Sequence, residues 1–177
     1  KRSKKTGHKV FGWVATSFGC PSRGDVPLSE VAAMGKWWVD QGIDYLGFGD
    51  TTGSSNPLQV SHFYEYMVAQ GFDRDMVVVH FHDTRGWGVA NSMVALTHGF
   101  SMFDTSIGAI GGQPQTGAAK YHTGFSGNTC TEDLVGMFEE MGVDTGIDIE
   151  KMIAAGKRSE EILGRKLRSN FVDAGPV

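Results

Sequence analysis

Four short apolar, β-prone segments punctuate the chain at residues 10–14, 45–48, 76–79 (running on to His82) and 102–106. Their starts lie 35, 31 and 26 residues apart. A tight turn can join antiparallel strands, but a parallel pair needs a crossover of a dozen or more residues, usually a helix. The intervals carry such helices. Residues 28–41 are apolar at Val31, Ala32, Met34, Trp38 and Val39, with Gly42 placed to close the helix in a left-handed cap. Asn56-Pro57 reads as an N-cap followed by proline at the first helical position, opening a helix that stops at Gly71. Residues 89–97 form a third helix and 131–141 a fourth, the latter with Glu132 and Asp133 in its first turn where they complement the dipole. A last helix is predicted from Ile149 to about Leu167, with Gly156 as a point where it can break. The pattern is a βα unit repeated four times plus a C-terminal helical piece.

Two architectures satisfy that pattern: a small doubly wound sheet, or about half of an eight-unit (β/α) barrel. Each predicted strand ends in polar residues: Thr16-Ser17, Asp50-Thr51-Thr52, His80-Phe81-His82-Asp83 and Asp104-Thr105-Ser106. Barrel enzymes build their sites at that end of every strand, whereas an open sheet concentrates its site at one switch point. The barrel is favoured.

Composition narrows the function. A formal charge of −4 gives no footprint for nucleic acid, and no apolar run is long enough for a membrane helix. Two cysteines, Cys20 and Cys130, make no disulfide framework and fit a reducing compartment: the cytoplasm, or the mitochondrial matrix in a eukaryote. The basic start, residues 1–9, reads as a solvated tail or a cut end. Twenty-five glycines are about twice the usual share of ~7%. Many lie between 108 and 128, a long loop that also carries Gln113, Lys120, Tyr121, His122, Ser126 and Asn128. Loops this long are commonly functional, and an active-site cover is the favoured reading over a plain surface loop. It contains no phosphate-binding G-x-x-x-x-G-K-[ST] motif.

His80 and His82 are the sharpest chemical signal. Alternation places both imidazoles on one strand face with Phe81 on the other. Two neutral imidazoles so spaced can share a divalent metal, or can be a hydrogen-bonded pair; their place at a strand end favours metal. Asp50 is either a carboxylate aimed at a substrate or a turn residue holding its own loop, and Asp104 is read the same way. His8, His62 and His98 are read as surface or satisfied histidines.

Taken together, Ser17-Phe18-Gly19-Cys20-Pro21, Gly49-Asp50-Thr51-Thr52-Gly53, His80-Phe81-His82-Asp83-Thr84-Arg85-Gly86, Asp104-Thr105-Ser106-Ile107-Gly108 with Gly111-Gly112, and Ser126-Gly127-Asn128 with Thr131-Glu132-Asp133-Leu134 resemble the C-terminal half of the 3-hydroxy-3-methylglutaryl-CoA (HMG-CoA) lyases, of the DRE-TIM metallolyase superfamily. The resemblance runs from Val10 to about Lys166. It implies a (β/α)8 barrel of which this chain carries strands five to eight, one domain over residues 1–177. It implies Mg²⁺ or Mn²⁺ and retro-Claisen cleavage of a 3-hydroxyacyl-CoA to acetyl-CoA and a keto product. His80, His82 and Asn128 match metal ligands, and Asp50 a carboxylate near the substrate. Glu132 matches an acidic residue supporting the site, while Trp13, Arg165 and Lys166 match substrate-binding positions. The synthases of the isopropylmalate and citramalate type share the barrel and H-x-H but typically carry H-x-H-N-D. They are one alternative, and a catalytically silent metal-binding relative is another.

Two departures stand out. The family's first strand, with its Arg and its metal-ligating Asp, is not in this sequence, so a missing N-terminal half is an expected partner, and a homodimer or tetramer is expected beyond it. The half alone is expected to be inactive. Gln113 stands where the lyases have the Cys that protonates the enolate, and an amide is no proton donor near neutral pH. His122, Tyr121, Cys130 or water must take that role, or the substrate differs.

Overall fold

The computed structural model describes residues 4–112 and 127–177. Four strands, β1 (Phe11–Val14), β2 (Tyr45–Asp50), β3 (Val77–Phe81) and β4 (Met102–Asp104), form one all-parallel sheet in chain order. Helices α1 (Leu28–Asp40), α2 (Pro57–Ala69) and α3 (Gly88–Thr97) make the crossovers. After β4 come α4 (Thr131–Glu140), α5 (Ile149–Leu163) and α6 (Asn170–Ala174). Gln113, Tyr121 and His122 lie outside the described residues, as do Lys120, Ser126 and the first three residues. Among the described residues, no helix is long and apolar enough to cross a membrane.

The helices start where their side chains supply caps. Asn56 accepts from the Gln59 amide at 3.0 Å while the Gln59 side chain accepts from the Asn56 amide, a reciprocal capping box ahead of Pro57. α5 runs without a break through Gly156, because that residue is a packing position: a Cβ there would press on Glu132 and Val172. The helix ends at Leu163 rather than near Leu167, stopped by Gly164 at φ +63°. Helix α6, too short to leave a periodic signal, was not anticipated. It is capped by Ser169, whose hydroxyl accepts from the Val172 amide at 3.0 Å.

The two faces of the sheet differ. Val14, Leu46, Phe48, Val77, Val79 and Phe81 point to the helices and join Val31, Val60, Phe63, Tyr64, Met67 and Phe100 in one core. Alternation and register send Phe11, Trp13, Tyr45, Gly47, Gly49, Val78, His80, Met102 and Asp104 to the other side. On that side Phe11 and Trp13 are 50% and 39% exposed. Parallel sheets are ordinarily buried on both faces; closing this one into a barrel turns the open face inward.

The α4–α6 contact depends on one missing Cβ. Gly136 lies against the Phe171 ring, and a methyl group there would collide with it. Gly→Ala inside a helix ordinarily gains up to ~1 kcal/mol, while overpacking costs about 1–3 kcal/mol. Gly136→Ala in the full-length protein is therefore expected to lower the urea midpoint and speed amide exchange over residues 169–174. A raised midpoint would contradict this packing.

Candidate metal and substrate site at the strand ends

β3 ends in the two histidines. Phe81 faces the core at 1% exposure, while the His80 and His82 rings sit edge to face with centroids 5.0 Å apart. Residues 127–130 run beside the end of β3. The Asp83 amide donates to the Gly127 carbonyl at 2.7 Å and the Thr129 amide to the Phe81 carbonyl at 3.0 Å, which sets His82 and Asn128 opposite one another as a bridge. The same segment joins β4 through Ser106 N to Thr129 O (3.1 Å) and Thr131 N to Ser106 O (3.0 Å). Residues far apart in sequence thus meet at one mouth.

Two of their polar atoms are already engaged. Asn128 Nδ2 donates to Ser106 Oγ at 2.6 Å, which orients the amide with its carbonyl oxygen left over. Gly111, at φ +94°, lies against that amide, where a Cβ would approach Nδ2 to 2.9 Å. His80 Nδ1 lies 2.9 Å from Asp104 Oδ2. Among the described residues no group of three or more His, Cys, Asp or Glu side chains is arranged to hold a metal ion. Among the described residues, His80, His82 and Asn128 are the candidates that this mouth brings together, fewer donors than an octahedral cation takes.

The acidic candidates turn inward. Asp50 is fully buried. Its Oδ1 accepts from the Ser54 amide (3.0 Å), and its Oδ2 from the Ser55 amide (2.9 Å) and hydroxyl (2.6 Å). Asn91 Nδ2 then donates to the Ser55 carbonyl at 3.0 Å. These bonds hold the turn after β2, and alternation along β2 puts residue 50 on the helix side with Leu46 and Phe48. Glu132 is also fully buried. Its Oε2 accepts from the Gly108 amide at 2.7 Å and the Cys130 thiol at 3.1 Å, tying α4 to the turn after β4. That corrects Cys130 as a proton donor: its Sγ is directed at Glu132, and burial pushes the thiol up to about 12.

Trp13 lies over Gly47, whose lack of a side chain leaves room for the indole, and its edge meets His80 at 5.5 Å between centroids. Arg165 and Lys166 occupy the turn between α5 and α6. Lys166 is held by Glu160 at 3.0 Å and Asp173 at 3.3 Å, which raises its pKa. Leu167 of the same turn packs beneath Gly108, so this turn is seated at the β4 end. The pairing of Asp104 with His80 and the hold of Ser106 on Asn128 were not foreseen. Both depend on strand register, which spacing alone does not reveal.

The chain is thus a parallel βα array with an H-x-H at its mouth. The HMGL-like family model matches residues 1–158, and the chain belongs to that family. It is 41% identical over 167 residues to the hydroxymethylglutaryl-CoA lyase YngG of Bacillus subtilis, covering 94% of this chain and 54% of that protein. The crystal structure of the B. subtilis HMG-CoA lyase superposes with a TM-score of 0.89 at 38% identity, over 97% of this chain and 55% of the other. An HMG-CoA lyase from Acinetobacter baumannii, in complex with coenzyme A and 3-methylmalate, gives 0.84 at 36% identity, over 94% and 52%. The chain spans about half the length of these relatives, and its sheet is about four βα units of a (β/α)8 barrel.

The two thiols should behave oppositely. Cys20 is partly exposed and its pKa is lowered by the Ser22 hydroxyl beside it at 3.2 Å, whereas Cys130 is buried and shifted up. Iodoacetamide on the native full-length protein at neutral pH should label Cys20 and spare Cys130 until denaturant is added, as read by peptide mass spectrometry. Labelling of Cys130 in the folded protein would contradict its placement.

Proposed function

We propose that this chain is the metal-carrying, C-terminal half of a carbon–carbon lyase that cleaves a 3-hydroxyacyl-CoA, HMG-CoA or a close analogue, to acetyl-CoA and a keto product. The observation that supports this most is the pair of imidazoles on one face of β3 with Asn128 bridged beside them, in a chain 41% identical to an HMG-CoA lyase.

His80, His82 and the Asn128 carbonyl oxygen would hold the divalent ion, and the remaining donors come from the part of the barrel outside this chain. Imidazole suits transition ions and amide oxygen suits hard ones, which favours Mn²⁺ or Mg²⁺ over a thiolate-seeking metal. When bound, the cation supplies Lewis acidity toward the substrate's hydroxyl and carboxylate oxygens. In the cleavage a base takes the hydroxyl proton, the bond between the carbinol carbon and the thioester α-carbon breaks, and its electrons become the thioester enolate, which a proton then quenches on carbon.

The remaining residues prepare the site. Asp50 and Glu132 hold the loops after β2 and β4 in place rather than touching substrate. Trp13 presents an apolar wall next to His80, suited to the acyl chain. Gln113 cannot donate the final proton, which leaves His122, Tyr121 or water. The acyl-CoA specificity rests on the coenzyme A seen in the A. baumannii relative.

Full-length protein with Mn²⁺ or Mg²⁺ is expected to release acetyl-CoA from HMG-CoA or a related 3-hydroxyacyl-CoA, and His80→Ala to abolish release. Gln113→Cys should raise HMG-CoA turnover. Equal rates in metal-stripped protein, or consumption of acetyl-CoA with a 2-oxo acid in place of release, would overturn the reading.

A further inference from the structure

The two histidines of β3 are not equivalent, and the difference comes from β4. In the parallel register His80 stands directly opposite Asp104, and both side chains leave the sheet on its open face. Neighbouring strands lie about 4.8 Å apart, so a short aspartate reaches the near nitrogen of the imidazole and not the far one. The contact is His80 Nδ1 to Asp104 Oδ2 at 2.9 Å. The other flank of the ring is set by β2 and β1. Gly49, the β2 neighbour of His80, has no side chain, and the Trp13 edge reaches across to the imidazole at 5.5 Å between centroids. Along the strand the His82 ring stands at 5.0 Å.

A carboxylate only accepts hydrogen bonds, so Nδ1 must carry the proton and donate it. In a neutral imidazole that leaves Nε2 with the lone pair, at the tip of the ring and away from the backbone. Without a partner the ring could also turn by 180° about its Cβ–Cγ bond, exchanging Nδ1 for Cδ2 with little change in shape. A charge-assisted acceptor on one side removes that freedom as well.

We propose that Asp104 is the positioning residue of His80, selecting the Nδ1–H tautomer and holding Nε2 toward the bridge between His82 and Asn128, where a divalent cation would sit. The assignment rests on the metal role proposed for His80 and adds the carboxylate that prepares it. Carboxylate partners of this kind typically change metal affinity by about 10–100-fold when removed. In this chain the Asp104 side chain is 48% exposed and its ion-pair partner is His80; a thermal melt of each full-length variant checks that the fold survives. Asn at this position keeps an acceptor oxygen of the same reach without the charge.

Two readouts on the full-length protein test this. Long-range ¹H–¹⁵N correlation spectra of ¹⁵N-histidine-labelled, metal-free protein at neutral pH should show His80 as the Nδ1–H tautomer. Asp104→Asn should retain it, and Asp104→Ala should lose it. Mn²⁺ titration followed by electron paramagnetic resonance should show affinity falling about 10–100-fold in Asp104→Ala and only a few-fold in Asp104→Asn. Finding the neutral His80 ring as the Nε2–H tautomer in the wild type would overturn the proposal. So would Mn²⁺ affinity unchanged in Asp104→Ala, or both Asp104 variants failing as completely as His80→Ala, which would make Asp104 a ligand itself. If instead the wild type binds no Mn²⁺, or His80→Ala binds it normally, the metal reading of the site fails, and the tautomer measurement still decides the role of Asp104.

Discussion

Everything at the mouth of this sheet depends on the register of β3 between its two parallel neighbours. With Gly49 on one side and Asp104 on the other, His80 meets the Trp13 edge across one flank and an acceptor on the other. A slip of one residue would bury both imidazoles among the helices and bring Phe81 to the open face, because the side-chain period of a strand is two. The apolar side of β3 prevents that slip. Val77, Val79 and Phe81 lie in a core with Phe48, Phe63 and Phe100, and burying side chains of this size is worth about 1.5–3 kcal/mol each.

The loops beyond the strands are held by buried carboxylates. Asp50 gathers two backbone amides and a serine hydroxyl after β2, and Glu132 reaches back from α4 to the Gly108 amide after β4. Each is a group that would be expensive to bury without its partners, so each commits its loop to one conformation. The second matters directly for the histidines: Ser106, two residues before Gly108, orients the Asn128 amide. A rigid frame behind a small set of neutral donors is what a site needs if its ligands must be ready before a cation arrives.

Much of this was legible in the sequence. The spacing of β-prone segments foretold four parallel strands and their crossovers, the Asn56-Pro57 start of α2 was readable from capping chemistry, and alternation alone put His80 and His82 on one face. What stayed hidden had physical reasons. Asp50 looks the same in sequence whether it faces a substrate or its own loop, and its bonds to Ser54 and Ser55 follow from the side of β2 on which it falls. Cys130 read as a candidate donor until its burial against Glu132 was known. Gly156 marked a break by propensity, but packing against Glu132 and Val172 overrode it. Asp104 and His80 are partners only through register, and α6 is too short to have a period.

The proposed site requires His80 and His82 to share one divalent ion. Electron spin echo envelope modulation of Mn²⁺ bound to the full-length protein counts the nitrogen nuclei around the metal directly. Two imidazole nitrogens are expected in the wild type, and one in either single His→Ala variant that still binds Mn²⁺. A bound Mn²⁺ with no nitrogen coupling, or with coupling unchanged by both substitutions, would contradict the account.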